Sequence, residues 1–147
     1  MTKDIVTVLL VEDDDIDAET VIRSFKSLKL DNPIRHARDG EEALDILRAE
    51  NGAEPIKGPF VVLLDLNMPR LGGHDFLVEI RNDPSLDQIV VFVLTTSSAD
   101  EDRYKAYKKN IAGYIVKHDA GNGFVEAIRL LEQFGQVVTF PEPKVAI

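Results

Sequence analysis

Five short apolar runs divide the chain into alternating segments of two kinds. The runs cover residues 6–11, 34–37, 60–64, 89–94 and 113–116. Most of them are rich in Val, Leu and Ile and show no clean alternation of apolar and polar residues, which is typical of strands covered on both faces. The run at 34–37 is the weakest of the five. We therefore predict five short β-strands.

The segments between and after the runs show helical features instead. Ala18, Val21, Ile22 and Phe25 stand at i, i+3, i+4 and i+7, which places them on one face of a helix. Further helices are predicted around residues 43–47, 76–80, 98–109 and 124–134. Five strands alternating with five helices predict an α/β fold, a doubly wound five-stranded parallel sheet with right-handed crossovers and helices on both faces.

Local signals indicate where several helices begin and end. Asp39 followed by Glu42, and Ser98 followed by Glu101, have the spacing of a capping box. The acidic residues after the first strand suit the positive end of the next helix. Pro84 indicates the end of the third helix.

The apolar run at 60–64 ends abruptly in Asp65, followed by Asn67, Pro69 and a glycine pair that read as a loop. In open α/β sheets, ligands bind outside the carboxyl ends of the strands. A carboxylate at such an end is therefore a candidate for chemistry. Taken alone, Asp65 fits equally well an aspartate that merely begins a turn.

Other polar residues follow the neighbouring apolar runs in the same way: Glu12, Asp13, Thr95 and Lys117. In a doubly wound sheet these strand ends share one edge, so the side chains can meet in one cleft. Packed carboxylates repel unless they share a cation, and oxygen ligands without Cys select a hard ion such as Mg²⁺. A divalent cation, a hydroxyl and an ammonium around one carboxylate match the needs of phosphoryl transfer, in which the carboxylate can be the nucleophile.

Composition and charge narrow the class of protein. A length of 147 residues fits one domain, and a hydrophobic fraction of 44% excludes a disordered tail protein. The net charge of -9 argues against a general nucleic-acid binder, and the absence of Cys excludes disulfides and Cys catalysis. No apolar run has the length of a membrane span, and no signal peptide is visible. We expect a cytoplasmic protein without a membrane or nucleic-acid partner.

Five motifs resemble those of the receiver domain of two-component response regulators. They are Val11-Glu12-Asp13, Leu64-Asp65-Leu66-Asn67-Met68-Pro69, Gly73, Leu94-Thr95-Thr96-Ser97 and Gly113-Tyr114-Ile115-Val116-Lys117. The resemblance runs from about Asp4 to Phe134. It implies the flavodoxin-like receiver fold and a signalling protein rather than an enzyme acting on external substrates. It also implies Mg²⁺ as the cofactor and a sensor histidine kinase as the partner.

The resemblance assigns the central chemistry to four residues. It implies that Asp65 accepts a phosphoryl group from a kinase phosphohistidine. Asp13, Asp65 and the backbone carbonyl of Asn67 would hold Mg²⁺, and Glu12 would assist directly or through water. Slow loss of the protein's own phosphoryl group is expected.

The resemblance also assigns a switch. Thr95 would hydrogen-bond the bound phosphoryl oxygen, Lys117 would pair with its charge, and Tyr114 matches the aromatic residue that turns inward when that Thr moves. Asn67 and Ser97 match positions that tune how long the phosphoryl group survives. Taken singly, the Thr fits a strand-end hydroxyl, the Lys an exposed side chain and the Tyr a half-buried strand residue. The histidines have no partner spacing and are assigned no role: His36, His74 and His118.

Two departures from the usual family pattern point to a particular subgroup of receiver domains. His118 stands where the family usually has Pro, so the bond after Lys117 is expected to be trans. The loop from Asn51 to Pro59 is longer than in minimal receivers. Both traits, with Thr95-Thr96-Ser97, are similar to the stand-alone receivers that partner bacterial phytochrome kinases.

We expect residues 1–135 to form the receiver domain and residues 136–147 to form a C-terminal extension. The run 137–140 is apolar and β-branched, which makes it a candidate for strand addition in a homodimer. The expected function is a single-domain response regulator that signals by phosphorylation-dependent association, in phytochrome light signalling. The alternatives are a phosphate sink or relay intermediate, a pseudo-receiver, and an aspartate-nucleophile phosphohydrolase. Asn67 disfavours the last, because such enzymes carry an acid/base Asp at that position.

Overall fold

Strands and helices alternate along the part of the chain that the computed structural model describes, residues 5–68, 70–96, 98–116, 129–130 and 133. The strands are β1 (Thr7–Val11), β2 (Ile34–Ala37), β3 (Phe60–Leu64), β4 (Val91–Thr95) and β5 (Gly113–Val116). The helices are α1 (Asp15–Ser27), α2 (Gly40–Arg48), α3 (Gly73–Asn82) and α4 (Asp100–Lys108). All five strands are parallel and form one sheet in the order β2-β1-β3-β4-β5.

The strand order makes the sheet doubly wound and confirms the predicted α/β fold. The chain passes from β1 outwards to β2, returns to the centre at β3 and then continues to the other edge. The direction of winding reverses between β1 and β3, which lie side by side with Val11 opposite Leu64. The crevice outside the carboxyl ends at such a reversal is the usual ligand position of this architecture.

The two central strands are buried on both faces. One core, which also contains residues of α2 and α3, takes every second strand residue: Leu9, Val11, Val62 and Leu64. The other core, on the α1 side, takes the residues between them: Val8, Leu10, Val61 and Leu63. Because both sets are buried, these strands read in the sequence as continuous apolar runs rather than as alternating ones.

Two helix starts are capped by aspartates. Asp14 is the N-cap of α1, and its carboxylate accepts from two N–H groups of the first turn at 2.8 and 3.1 Å. Asp39 is the N-cap of α2 and accepts from the Glu42 N–H at 2.9 Å, as the capping-box spacing predicts. The carboxylate of Glu42 accepts from the N–H of Arg38 at 3.0 Å.

The capping box predicted at Ser98 is wrong. Helix α4 begins at Asp100 with Ala99 as its N-cap, and no side chain caps it. Because the cap lies one residue beyond Ser98, Ser98 and Glu101 do not occupy the two positions that can exchange hydrogen bonds. Three acidic residues in the first turn interact favourably with the positive end of α4 instead.

Some predicted boundaries shift, and some predictions lie outside the described residues. β4 begins at Val91, two residues later than the apolar run, and α4 ends at Lys108. Of the predicted last helix, only residues 129, 130 and 133 are described, and they are helical. The bond after Lys117 and the extension 136–147 lie outside the described part. Among the described residues, no helix has the length and apolar character needed to cross a bilayer.

Candidate functional site

The candidate site lies at the carboxyl ends of the two central strands. Glu12 directly follows β1 and Asp65 directly follows β3, and the last residues of these strands are paired. The Asp65 N–H donates to the Val11 carbonyl at 2.9 Å, and the Glu12 N–H donates to the Ala37 carbonyl of β2 at 3.0 Å. Sheet hydrogen bonding therefore continues into the residues that carry the site.

Three carboxylates meet there. Glu12, Asp13 and Asp65 each offer one oxygen, and the three oxygens lie within 4.8 Å of one another. Glu12 and Asp65 are buried, with 2% and 7% exposure, whereas Asp13 is exposed. Three anions this close repel one another unless they share a cation, and oxygen ligands fit a hard divalent ion. The residues present therefore fit the predicted Mg²⁺ site.

The loop that joins β3 to α3 begins with Asp65 and ends at Gly72. We call it the acceptor loop, after the role predicted for Asp65. The Asn67 N–H donates to Oδ1 of Asp65 at 3.3 Å, so the loop orients its own carboxylate. The Gly73 N–H donates to the Leu66 carbonyl at 3.1 Å. A Cβ on Gly73 would lie 2.5 Å from Leu66 Cα and 2.6 Å from the Asp65 carbonyl oxygen. Helix α3 therefore starts against the loop backbone, at a position where only glycine fits.

The hydroxyl predicted for the site comes from the neighbouring strand. Thr95 is the last residue of β4 and is fully buried. β3 and β4 pair Leu64 with Val93, so Thr95 lies one residue beyond the level of Asp65. The register thus brings Thr95 to the same edge of the sheet as the carboxylates. Ser97 and Lys117, the other predicted residues at this edge, lie outside the described residues.

Tyr114, predicted as the switch aromatic, is half-buried in β5 and packs against the core on the α2 and α3 side. The guanidinium carbon of Arg103 in α4 lies 5.7 Å from the centroid of its ring, within the range of a cation–π contact. Any movement of this ring would change its contact with α4. The inward turn of Tyr114 stays a prediction.

Two histidines without a predicted role have polar partners in the fold. Nε2 of His36 lies 2.7 Å from the carbonyl oxygen of Glu12, and Nε2 of His74 lies 3.1 Å from Oδ1 of Asp102. The partners are 24 and 28 residues apart in the sequence, so no local spacing could reveal them. His36 thus contacts the backbone of Glu12, one of the three acidic residues of the site.

Residues 8–129 match the family model of the response regulator receiver domain. This match covers well over half of the chain and agrees with the sheet order and with the site at its carboxyl edge. The chain belongs to the response regulator receiver domain family, whose members act in phosphorylation-based two-component signalling.

Individual relatives include stand-alone regulators of similar length. Response regulator Rcp1 of Synechocystis is 33% identical over 91% of this chain and 92% of its own, and a structure of its Mn²⁺-bound form is known. The phosphorylated cyanobacterial phytochrome response regulator RcpA superposes with a TM-score of 0.83 at 30% identity, over 95% of this chain and 100% of RcpA. The probable methanogenesis regulatory protein FilR2 of Methanothrix harundinacea is 40% identical over 75% of this chain and 70% of its own.

Proposed function

We propose that the chain is a phosphorylation switch in which Asp65 accepts a phosphoryl group from the phosphohistidine of a sensor histidine kinase. The observation that carries the proposal is the carboxylate cluster, in which a buried aspartate at the end of a central strand lies beside Glu12 and Asp13. Membership of the receiver family supports this assignment.

The proposed transfer is a nucleophilic substitution at phosphorus. A carboxylate oxygen of Asp65 forms the new P–O bond, and the P–N bond of the phosphohistidine breaks with its electron pair left on the imidazole. The hydroxyl of Thr95 donates to a phosphoryl oxygen, and the ammonium of Lys117 balances its charge. These two residues stabilise charge on the transferred group without forming covalent bonds.

The ligands proposed for Mg²⁺ are Asp13, Asp65 and the backbone carbonyl of Asn67, with Glu12 acting directly or through water. When bound, Mg²⁺ neutralises the carboxylates and the oxygens of the incoming phosphoryl group. The oxygen-only donor set supports this choice, as does the Mn²⁺-bound form known for Rcp1. The partly buried cluster would otherwise hold three adjacent negative charges.

Loss of the phosphoryl group is expected to be slow and limited to the protein's own aspartyl phosphate. Water would attack phosphorus, and the P–O bond to Asp65 would break, restoring the carboxylate and releasing inorganic phosphate. Asn67 follows Asp65 at the position where a phosphohydrolase carries an acid/base carboxylate, and an amide cannot do that work. We therefore expect no turnover of external phosphoesters.

Intact-mass spectrometry after incubation with acetyl phosphate and Mg²⁺ tests the proposal. The wild-type chain should gain one phosphoryl mass, Asp65→Asn should gain none, and Asp75→Asn should behave as wild type because Asp75 is exposed on α3. Labelling that survives Asp65→Asn would refute the assignment. Sustained release of phosphate from a generic phosphomonoester, abolished by Asp65→Asn, would favour the phosphohydrolase alternative.

We propose a bacterial phytochrome kinase as the phosphoryl donor, which would place the chain in the cytoplasm with its kinase domain. The similarity to Rcp1 and RcpA supports this choice. Short-time phosphotransfer from each histidine kinase of the source organism tests it. Fast labelling by a light-sensing kinase supports the proposal. Fast labelling by another kinase contradicts it, and labelling by acetyl phosphate alone indicates a phosphate sink or relay member.

We also propose that residues 1–135 are the receiver domain and that the extension 136–147 mediates a homodimer by strand addition. The net charge of -9 supports a protein partner over a nucleic acid. Light scattering on the full chain and on a chain lacking 136–147, each with and without phosphorylation, tests the extension. An unchanged molecular mass after the deletion would remove its role in association.

A further inference from the structure

Arg70 connects the acceptor loop to a second loop at the same edge of the sheet. Nε of Arg70 lies 3.1 Å from Oδ2 of Asp39, and Nη2 lies 3.0 Å from Oε2 of Glu41. Asp39 is the N-cap of α2, at the end of the turn that follows β2, and Glu41 lies in the first turn of the helix. One guanidinium thus bridges the loop of the proposed acceptor and the first turn of the neighbouring helix.

Asp39 is the stronger of the two partners. Its side chain is only 10% exposed, and Oδ1 is engaged by the Glu42 N–H at the helix cap while Oδ2 faces Arg70. A carboxylate held in this way has a fixed position, and a guanidinium can bind it with defined geometry. Glu41 is more than half exposed, so its ion pair with Arg70 contributes little to the stability of this contact.

The backbones of the two loops also touch. The Gly40 N–H donates to the Leu71 carbonyl at 3.1 Å, and a Cβ on Gly40 would lie 2.5 Å from that oxygen. Between this contact and the site, Arg70 has a φ of 62°, in the left-handed region that residues other than glycine rarely adopt. Such a conformation persists only where its surroundings enforce it. The ion pair to Asp39 and the hydrogen bond to Leu71 provide that enforcement.

We propose that Arg70 is a positioning residue for the acceptor site, which acts through its ion pair with buried Asp39 to fix the loop that presents the Asp65 carboxylate and the Asn67 carbonyl. This inference rests on the proposed function of Asp65 and deepens it. Without the pair, Arg70 is released from its left-handed conformation and the loop relaxes. The proposed metal ligands then lose their relative positions, although the sheet bond of Asp65 to Val11 remains.

The test measures the rate of labelling by acetyl phosphate across a series of Mg²⁺ concentrations. Arg70→Ala and Asp39→Asn should each raise the Mg²⁺ concentration for half-maximal rate by roughly tenfold, as expected when a group that orients metal ligands is lost. Asn retains a good helix-cap acceptor, so the second variant keeps α2 capped. Because both changes remove one interaction, the double variant should show the same shift as either single variant. Arg70→Lys should show a smaller shift than Arg70→Ala, because lysine keeps the positive charge but not the fork of the guanidinium.

Arg38→Ala is the matched control. Arg38 directly precedes the N-cap of α2, its side chain is as exposed as that of Arg70 at 65%, and it faces exposed Asp15 at 3.6 Å. The Mg²⁺ concentration for half-maximal labelling of Arg38→Ala should stay within about twofold of the wild-type value. The Mg²⁺-dependent rise in melting temperature of the same variants provides a readout that needs no phosphorylation.

Three outcomes would overturn the inference. An unchanged Mg²⁺ dependence in Arg70→Ala, or additive effects in the double variant, would remove the role of the ion pair and leave Asp65 as the acceptor. Absence of labelling in the wild-type chain would overturn the proposed function and this inference with it.

Discussion

Two neighbouring glycines show how single residues set the distance between the acceptor loop and α3. A Cβ on Gly73 would lie 2.5 Å from Leu66 Cα. A Cβ on Gly72 would have the Met68 carbonyl oxygen as its nearest atom outside the adjacent residues, at an ordinary contact distance of 3.5 Å. Gly73 is therefore required because any side chain would clash with the loop backbone. Gly72 has room for a methyl group and an ordinary φ of -71°. The same residue type has a different physical role at adjacent positions.

We expect Gly73→Ala to destabilise the fold by about 1–3 kcal/mol, the usual cost of forcing extra atoms into a packed position. The variant should also slow phosphoryl uptake at Asp65, because the loop backbone must shift. Gly72→Ala is the matched control, with an expected change below about 0.5 kcal/mol. Urea unfolding curves measure both, and equal losses in the two variants would contradict the steric argument.

Asp83, at the C-cap of α3, carries a pH-dependent part of the stability. Hydrogen bonds from the Ser85 hydroxyl at 2.7 Å and the Ser85 N–H at 2.9 Å hold the pKa of this carboxyl below its ordinary value of 3.8, and Arg48 at 3.2 Å lowers it further. Burial acts in the opposite direction and is outweighed. The ionised carboxylate therefore favours the folded state.

The contribution of Asp83 to the free energy of unfolding depends on pH. Because the folded pKa is lowered, the contribution is complete above pH 3.8 and is lost as the pH falls through the folded pKa. Asp83→Asn should lower the free energy of unfolding by about 1 kcal/mol at pH 7. Its difference from wild type should shrink below pH 3.8. Urea titrations at several pH values check this, and a constant difference would show that the charge is unimportant.

At the scale of elements, the sequence predicts best what depends on local pattern. β1 and β3 were predictable because their residues are buried on both faces, and the carboxylate cluster was predictable because acidic residues follow those two runs. The edge strands β2 and β5 are only partly buried. The N-cap of α4 was not predictable in this way, because the cap is Ala99, one residue beyond the Ser98 at which the sequence motif begins. The pairing of Arg70 with Glu41 joins residues 29 apart, and no local spacing indicates such a contact.

Arg81 is another long-range contact, and it joins α3 to the amino end of β4 and the end of α4. Its guanidinium donates to the carbonyls of Asp87, Ile89, Lys109 and Asn110 at 2.7 to 3.1 Å. Burial lowers the pKa of this arginine, and the nearby charge of Asp87 raises it. The fork geometry satisfies four loop carbonyls from three nitrogen atoms.

We expect Arg81→Lys to destabilise the fold by about 2–3 kcal/mol, because one ammonium cannot replace a fork that holds several carbonyls. Arg23→Lys is the matched control, since Arg23 makes an exposed ion pair with Glu19 on α1. Its effect should stay below about 0.5 kcal/mol. Urea denaturation compares the two variants, and a tolerated Arg81→Lys would show that water can replace these hydrogen bonds.

At the scale of the whole molecule, the proposed metal site couples charge to stability. The chain carries a net charge of -9, and part of that charge is concentrated in three adjacent carboxylates. An ion that binds only the folded chain stabilises it by mass action. The folded state without the ion must bear the repulsion within the cluster.

We expect Mg²⁺ at ten times its dissociation constant to stabilise the fold by about 1.4 kcal/mol. Asp13→Asn should weaken this response while leaving the metal-free protein as stable as wild type or more so, because it relieves repulsion. Asp31→Asn, an exposed change of equal charge before β2, should keep the full response. Melting curves with and without Mg²⁺ measure this stabilisation. An identical rise in melting temperature in both variants would contradict the assigned ligands.

The double burial of β1 and β3 restricts how the chain can change in length. Adding or removing one residue within either strand would exchange the side chains of the two cores and turn the residue after the strand to the opposite face. The same five positions in each strand therefore encode both the packing and the direction of Glu12 or Asp65. The loop at 51–59 enters β3 at the opposite, amino-terminal edge of the sheet. The space around Gly52 and Gly58 is open to 4 Å, although their φ values of 81° and 82° favour glycine at these two positions. We therefore expect an insertion between Gly52 and Gly58 to be tolerated better than an insertion within either central strand.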